Sequence, residues 1–440
     1  MTVEKLGVPT APIITNTFEW PVRTAVTAKG MSSLRFVFLP HPVAYRPAEE
    51  CRRKLSGNDP ISGKPVLQEI AEALTKPLTP GEANVGFAER PRDRLIGPDS
   101  PDNLQALFRD NDWTVYLPVV LPTEERVAQM LKGTSHRPDE KVGEMWPSSP
   151  HEKWSYTVEQ VAINAVMAGA KPEFLPVILA VASAGMTSLF TSTNSFTAMV
   201  CVNGPIRREI NMNMSIGALG PFNHANASIG TAWTLISKNL GNGGAPGRKY
   251  MGSQGQGHNY NNLCFGEREE RLPPGWSPFH VQKGFKQEES AISVFDGWSW
   301  SNMGGFETHK SASIKRFFTY QTQCCGQTMV IDPLVADLLY KEGFKTKEQL
   351  NQWLKDNVMS SQEEYWDQIF GVSQGHATEL ELAKSGVEPY ASWLKLPEGA
   401  VIPVPRNVDV NIMVAGGETN PYWQGGTLRY RGSASVDKWR

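Results

Sequence analysis

The chain has 440 residues, 40% of them hydrophobic and 20% charged, with 43 basic against 45 acidic side chains and a formal net charge of −2. That length implies two or three domains, and the charge balance excludes the basic stripe that a nucleic-acid or polyanion binder needs. The five cysteines, at positions 51, 201, 264, 324 and 325, form no C-x-x-C pair and no spaced metal set, which argues against a disulfide framework or a zinc ribbon.

Reduced thiols and a cytoplasmic protein are the expectation from that cysteine usage. The N-terminus lacks a basic region followed by an apolar run, so no signal peptide is expected. The most apolar stretch, residues 174–200, is broken by Pro176, Gly185 and several hydroxyl side chains, and it reads as buried core rather than a membrane span.

In chain order, residues 8–15 form a β-branched run, 18–28 a helical stretch and 34–39 a second strand that ends in Pro40-His41-Pro42. Strand, helix and strand in about forty residues make a βαβ unit with parallel strands. Two parallel strands cannot bury both faces, so the unit is expected to dock on the later domain or to be completed by another polypeptide. Residues 65–75 form a helix and 76–94 a linker. Helices follow at 103–108, at 124–132 with Thr123 as N-cap, at 157–168 closed by Gly169, and at 172–184. Residues 136–153 read as a polar loop.

A buried strand at 196–202 leaves through Asn203-Gly204-Pro205, and a helix at 226–240 carries Gly230 on a face that must pack closely. The segment 241–257 holds glycines without apolar periodicity and reads as a flexible loop. Strands are expected at 262–265, 291–295, 317–323, 327–331 and 408–414, and helices at 333–342 and 346–358. No internal repeat is evident. The fold class is therefore α/β, with an incomplete parallel-sheet unit over residues 1–85 and a larger mixed α/β (α+β) domain over 86–440.

The stretch 203–239 concentrates arginines, asparagines, a histidine and small residues in one strand-turn-helix unit. Ligands of open α/β sheets lie beyond the carboxyl ends of strands, and an arginine there suits a carboxylate or phosphate because its fork binds in bidentate fashion. Arg207 and Arg208 are the anion-anchor candidates, with ion pairing to Glu209 as the competing reading. Asn203, Asn223 and Asn226 are candidates for orienting a substrate, although one Asn at a helix start is first an N-cap. His224 is either a general base or a hydrogen-bonding prop. Cys264 and His280 offer the minimal thiol–imidazole pair, against the ordinary role of cysteine as a small core residue. The vicinal Cys324-Cys325 raises the same choice, and His41 lies at the end of a parallel strand. Glu418, in the turn after the last expected strand, is an acid/base candidate.

No Walker loop, G-x-G-x-x-G, G-x-S-x-G or H-E-x-x-H motif occurs, which removes support for the common nucleotide, hydrolase and zinc-protease classes. The eight histidines do not cluster at metal-ligand spacing, so no cofactor is expected and no metal is called for.

Several phrases together resemble the family named for a U-G-S-C motif, in which U is selenocysteine. GVPTAPIITNTFEWPVRTAVTAKGM with PHPVA is similar to the second part of that family's redox-type α/β domain. LPVVLPTEERVAQML, TVEQVAINAVMAGAKPEFLPVILA, NGPIRREINMN with ALGPFNHANASIG, WSPFHVQKGF and VAGGETNPYW are similar to the longer domain often associated with it. The resemblance implies a Cys/Sec-Gly-Ser-Cys motif after a first strand, ahead of Gly7, and that motif is not in the sequence. A small partner subunit carrying such a segment is therefore expected.

Three functions follow. The first is an enzyme subunit acting on a small polar or anionic organic molecule, by cleavage or hydration of a carbon–heteroatom bond with thiol or acid/base chemistry. There Asn203, Arg207, Arg208, Asn223 and Asn226 would bind substrate, while His224, His280, Cys264 and Glu418 would carry chemistry. The second is a component of a thiol- or selenol-dependent oxidoreductase, as the resemblance implies. The third is a non-catalytic scaffold in a two-component complex.

Overall fold

The computed structural model describes residues 3–28, 30–43, 46–83, 94–145, 154–190, 192–247, 250–303, 308–319, 326–367, 377–405 and 409–440. Cys324 and Cys325 lie outside the described residues, as do parts of the expected linker at 76–94, the loop at 136–153 and the strand at 317–323.

The N-terminal βαβ unit is present. Strands β1 (Ile13–Thr15) and β2 (Val37–Leu39) pair in parallel, Ile13 against Val37 and Thr15 against Leu39, across the Glu19–Ala28 helix. β1 is shorter than the β-branched run that marks it, because Pro9 and Pro12 have no N–H to give a ladder. The unit's own core is small: Val37, Leu39 and Val66 are buried, with Leu55 and Ile70 packed on them. Trp20 and Leu6 stay 53% and 77% exposed, so much apolar surface here is left uncovered.

A hairpin of β3 (Lys141–Met145) and β4 (Trp154–Thr157) replaces part of the expected polar loop. Lys141–Met145 is weak by local propensity, whereas Trp154, Tyr156 and Thr157 favour a strand, and burial of Val142, Met145 and Tyr156 in the main core fixes the pair. Thr157 then caps the Val158–Met167 helix through a full capping box with Gln160.

The larger domain is built on two four-stranded sheets. One contains β5 (Thr197–Asn203), β6 (Leu263–Gly266) and β7 (Ala291–Gly297); the other contains β8 (Ser301–Met303) and β9 (Gln327–Ile331). After β9 the chain makes an excursion that includes the antiparallel pair β10 (Met359–Ser361) and β11 (Val401–Pro405), with a local core of Tyr365, Trp366, Ala383 and Ile402. It returns through β12 (Val410–Val414) and β13 (Trp423–Gly426) and ends in β14 (Leu428–Ser435). The sheet orders are β14-β7-β5-β6 and β12-β9-β13-β8.

Period-two alternation decides the layers. On β5, Ala198, Val200 and Val202 face a core shared with the helices Val158–Met167, Leu175–Ser183 and His224–Asn239, while Met199 and Cys201 face the opposite way. On β9, Met329 and Ile331 join a second helix-covered core, and Val330 joins Met199, Cys201, Phe265, Phe295 and Met413 in a cluster between the sheets. The result is helix, sheet, sheet, helix in four layers.

The two sheets repeat one topology, which the sequence does not betray. In each, a strand crosses over to a parallel neighbour (β5 to β6, β9 to β12), and the next strand lies antiparallel on the other side (β7 beside β5, β13 beside β9). The strand after that crosses to the other sheet: β8 pairs with β13, and β14 with β7. At the crossing, Ser299 N donates to Thr427 Oγ1 (3.1 Å) and Thr427 N to Ser299 Oγ (3.2 Å), a reciprocal pair. A Cβ at Gly297 would stand 1.6 Å from Thr427 O, and one at Gly426 1.9 Å from Ser299 O, so the chains can cross only at glycine.

The strand expected at 317–323 is not formed in its described part: Phe317 and Phe318 belong to the Lys310–Thr319 helix. Ile314, Phe317 and Phe318 share one helical face in the second core, so helical periodicity outweighs the strand preference of the aromatic pair.

Candidate functional site

The carboxyl ends of β5, β6 and β12 meet where the two sheets adjoin. The chain leaving β6 bonds to both neighbours, Glu267 N to Val202 O (3.0 Å) and Arg268 N to Val414 O (2.7 Å). This places the charged run Glu267-Arg268-Glu269-Glu270-Arg271 at the junction.

Glu267 is fully buried and has four donors. Lys347 Nζ (2.8 Å) and Val414 N (3.3 Å) reach Oε1, and Asn203 Nδ2 (2.8 Å) and Phe279 N (2.6 Å) reach Oε2. A carboxylate this deep requires such complete pairing. Asn203 Nδ2 also donates to Glu269 Oε1 (2.9 Å), which accepts from Gly204 N as well (2.8 Å). Arg207, 3% exposed, binds Glu269 Oε2 through Nη2 (2.8 Å), Glu270 Oε1 (3.2 Å) and Gly204 O through Nε (2.8 Å). Exposed Arg208 closes on the other side of Glu270 Oε1 (2.6 Å).

His280 lies behind this set with no exposed surface. Its Nδ1 is 3.8 Å from Glu269 Oε1, too long for a hydrogen bond, and neither ring nitrogen has a hydrogen-bond partner among the described residues. Cys201 is nearby on β5, its Sγ 3.6 Å from Asn203 Oδ1, and burial pushes its thiol well above the ordinary range.

A second tier reaches solvent. Glu418 Oε1 accepts from Arg271 Nε (2.8 Å) and Nη2 (2.6 Å), and its Oε2 from Arg268 Nη1 (2.7 Å). Arg271 extends to Asp337 (3.1 Å), and Glu418 N donates to Asp332 Oδ2 (3.0 Å). The Arg271 hydrogen bonds hold the Glu418 carboxyl below the usual range. Burial raises Asp332 instead.

The remaining candidates lie elsewhere. Asn223 caps the His224–Asn239 helix, accepting from Ala225 N (2.9 Å) and Asn226 N (3.2 Å). Asn226 braces the preceding loop by donating to Asn213 O (2.9 Å) and Ala218 O (3.0 Å) and accepting from Asn213 N (3.0 Å). That loop carries Met214, whose Sδ is 2.9 Å from Arg207 Nη1 and whose carbonyl accepts from Gly416 N, so Asn226 touches the charged cluster only through it. His224 Nε2 is 2.7 Å from Gly169 O, and its ring stands edge-on to Phe174. Cys264 faces the helix-side core at 4% exposure, and burial pushes its thiol up to about 12, so it stays protonated at neutral pH. The structure therefore gathers Asn203, Arg207, Arg208, His280 and Glu418, and leaves Cys264, His224, Asn223 and Asn226 outside that cluster.

Sequence reasoning missed Glu267, Arg268, Glu269, Arg271, Lys347 and Asp332. One signal was available: a run of consecutive charges directly after the buried β6 strand, at the end where sheet ligands lie. Lys347 carried none, because it is 80 residues from Glu267 in sequence.

Fold and cluster together define a mixed α/β protein with a paired acidic and basic cluster at its sheet junction. The UGSC family model matches residues 1–60, the span that holds the N-terminal βαβ unit. No curated protein and no solved structure matches the chain. No described helix is long and apolar enough to cross a membrane, and no group of three or more potential metal ligands occurs among the described residues.

Proposed function

We propose that the chain is a subunit of an enzyme acting on a small polar or anionic organic molecule by acid/base chemistry, with cleavage or hydration of a carbon–heteroatom bond as the reaction class. The observation that carries this reading is the layering of the junction. Arg268 and Arg271 both pair with the Glu418 carboxylate in the partly exposed tier, with Asp337 a second partner of Arg271, while Glu269 and His280, whose ring nitrogens have no hydrogen-bond partner among the described residues, are buried. A substrate carboxylate or phosphate can replace Glu418 between the two guanidinium groups, which keeps both cations paired and leaves the displaced Glu418 carboxylate without them and so able to take a proton. Asn203 and Arg207 fix the orientation of Glu269, and a proton taken by Glu269 passes to His280 Nδ1 after a closure of under an ångström from their 3.8 Å separation. Thiol chemistry by Cys264 is disfavoured, since a protonated core thiol is neither nucleophilic nor reachable.

The test is binding of small hydroxy-, keto- and amino-carboxylates, and of their phosphate analogues, followed by calorimetry. Arg268→Ala and Arg271→Ala should each weaken a bound acid by at least about ten-fold, the loss of one charge-assisted hydrogen bond. Unchanged affinity in the double variant sinks the assignment.

A second reading, a thiol- or selenol-dependent oxidoreductase component, is favoured by the UGSC-family match. His41 stands at the carboxyl ends of β1 and β2, its Nδ1 3.0 Å from Thr15 Oγ1, its backbone N donating to Asn16 Oδ1 (3.0 Å) and its ring edge-on to Phe18. A partner strand paired beside this two-stranded sheet would bring a Cys-Gly-Ser-Cys segment to the same end as His41. Native mass spectrometry with a small Cys-Gly-Ser-Cys subunit tests it; no complex, or one indifferent to charge reversal near His41, argues against it.

A further inference from the structure

A cavity of about 770 Å³ opens beside the last turn of the His224–Asn239 helix, at the far end of that helix from Asn223. Its depth is apolar: Phe108, Met167 and Leu240 are buried, and Phe108 stands edge-on to Trp113 with ring centroids 5.3 Å apart. Leu104 and Leu121 extend that wall toward solvent. The volume lies within the usual range for small-molecule sites, and apolar walls with a few polar groups are the composition such sites have.

The mouth is acidic. Asp99 and Glu124 line the cavity as exposed residues, the Glu124 side chain at 71%. Asp99 Oδ1 accepts from Ser100 N (2.6 Å) and Asn103 Nδ2 (2.8 Å), which fixes the carboxylate and leaves Oδ2 without a hydrogen-bond partner among the described residues. The hydrogen bonds from Asn103 and Ser100 hold the Asp99 carboxyl below its usual range, so it is ionised at neutral pH. Both carboxylates are open to a guest that enters from solvent.

The nearby cations do not balance them. Arg94 also lines the cavity, but it gives Nε and Nη2 to Glu159 (3.3 and 2.7 Å) and its Nη1 stays 3.6 Å from Glu124, too long for a hydrogen bond. Arg126, two residues on from Glu124, is tied to Leu121 O (2.9 Å). Asp99, Glu124 and Glu159 against Arg94 and Arg126 set three negative charges against two positive, a balance of −1 at the mouth.

We propose that this cavity binds an organic cation, an amine protonated at neutral pH whose apolar body lies against Phe108 and Trp113 and whose ammonium group meets Asp99 and Glu124 at the mouth. The body supplies affinity by leaving water, and the ammonium supplies charge-assisted donors to two carboxylates that lack them. A carboxylate or phosphate, the guest read for the sheet junction, meets like charge here. The site is independent of that reading and concerns different residues, so it takes a second small molecule of opposite charge.

The experiment is a calorimetric titration of the full chain with 4-phenylbutylamine, 4-phenylbutanol and 4-phenylbutyrate, which share one apolar body. The expected order is saturable binding of the amine, binding of the alcohol weaker by roughly five-fold for want of two exposed ion pairs, and still weaker binding of the carboxylate. The amine's advantage should shrink in about 1 M salt, where screening acts over roughly 3 Å. It should be lost in the Asp99→Asn/Glu124→Gln double variant, whose exposed, shape-preserving changes leave the fold and alcohol binding intact. Leu121→Trp and, separately, Leu104→Trp fill the apolar wall and should abolish amine binding, with circular dichroism confirming that at least one of them is folded. No saturable binding of the amine up to about 1 mM, binding of the alcohol or carboxylate as tight as the amine's, an amine preference kept in the folded double variant, or wild-type binding by a folded Trp variant each overturns the proposal.

Discussion

Gly230→Ala pits two measurable effects of opposite sign against each other. In an exposed helix the change stabilises by about 1 kcal/mol, because alanine loses less backbone entropy than glycine. Here a Cβ would stand 1.9 Å from Asn261 O and 3.3 Å from Asn262 O, both of them backbone atoms of the segment leading into β6. Relief requires moving helix and strand apart by more than an ångström, and overpacking of that kind costs about 1–3 kcal/mol. The same movement stretches Asn262 Nδ2 to Gly230 O (3.1 Å) and Thr234 Oγ1 to Asn259 O (3.0 Å), each contributing about 1 kcal/mol. The net expectation is a loss of about 2–4 kcal/mol. For a domain of this size each kcal/mol shifts the melting midpoint by roughly 1–2 °C, so scanning calorimetry should record a drop of roughly 2–8 °C. Ala227→Gly on the same helix measures the propensity contribution alone. A Gly230→Ala chain that melts at or above the parent temperature refutes the close-packing argument.

Lys347→Met leaves Glu267 as an uncompensated buried carboxylate and should cost about 3–5 kcal/mol, whereas adding Glu267→Gln should recover part of the loss in the same melting assay. Cys264 should resist iodoacetamide at pH 7.5 in the folded chain while the partly exposed Cys51 reacts, as read by peptide mapping; equal labelling rates would contradict the buried, protonated thiol. In the N-terminal unit the bidentate Arg35 pair holds Glu82 down to about 2, with help from Thr79. A depressed carboxyl stabilises the fold fully above its unfolded value of about 4.3 and loses that contribution as pH falls toward 2. Acid titration of the unit should thus lose a transition in that window in Arg35→Met, and an unchanged profile would show that the pair is screened out.

Much of the local structure was legible in the sequence because local physics decides it. The βαβ start, the capping role of Thr123, the close-packing face at Gly230 and the helix after Asp332 all follow from residues within a turn or two of each other. Phe317 and Phe318 mislead for the opposite reason: their conformation is set by a core made of distant segments, and aromatic pairs suit either element until that core is known. At the site, Asn203, Arg207 and Arg208 were visible as a polar turn at a strand end, and Glu418 as another.

Sequence by itself determined the fold class, the boundaries of most helices and the strand ends at which polar residues collect, since each depends on short-range periodicity and capping. Only the tertiary structure decided which of those ends meet. The packing of the two sheets brings the end of β6 beside the end of β12, puts Glu418 between Arg268 and Arg271, and sets Lys347 on Glu267. It also separated Cys264 from His280, because one faces the helix-side core and the other lies beside Glu269. Burial and long-range pairing are properties of the assembled sheets, and no spacing along the chain encodes them.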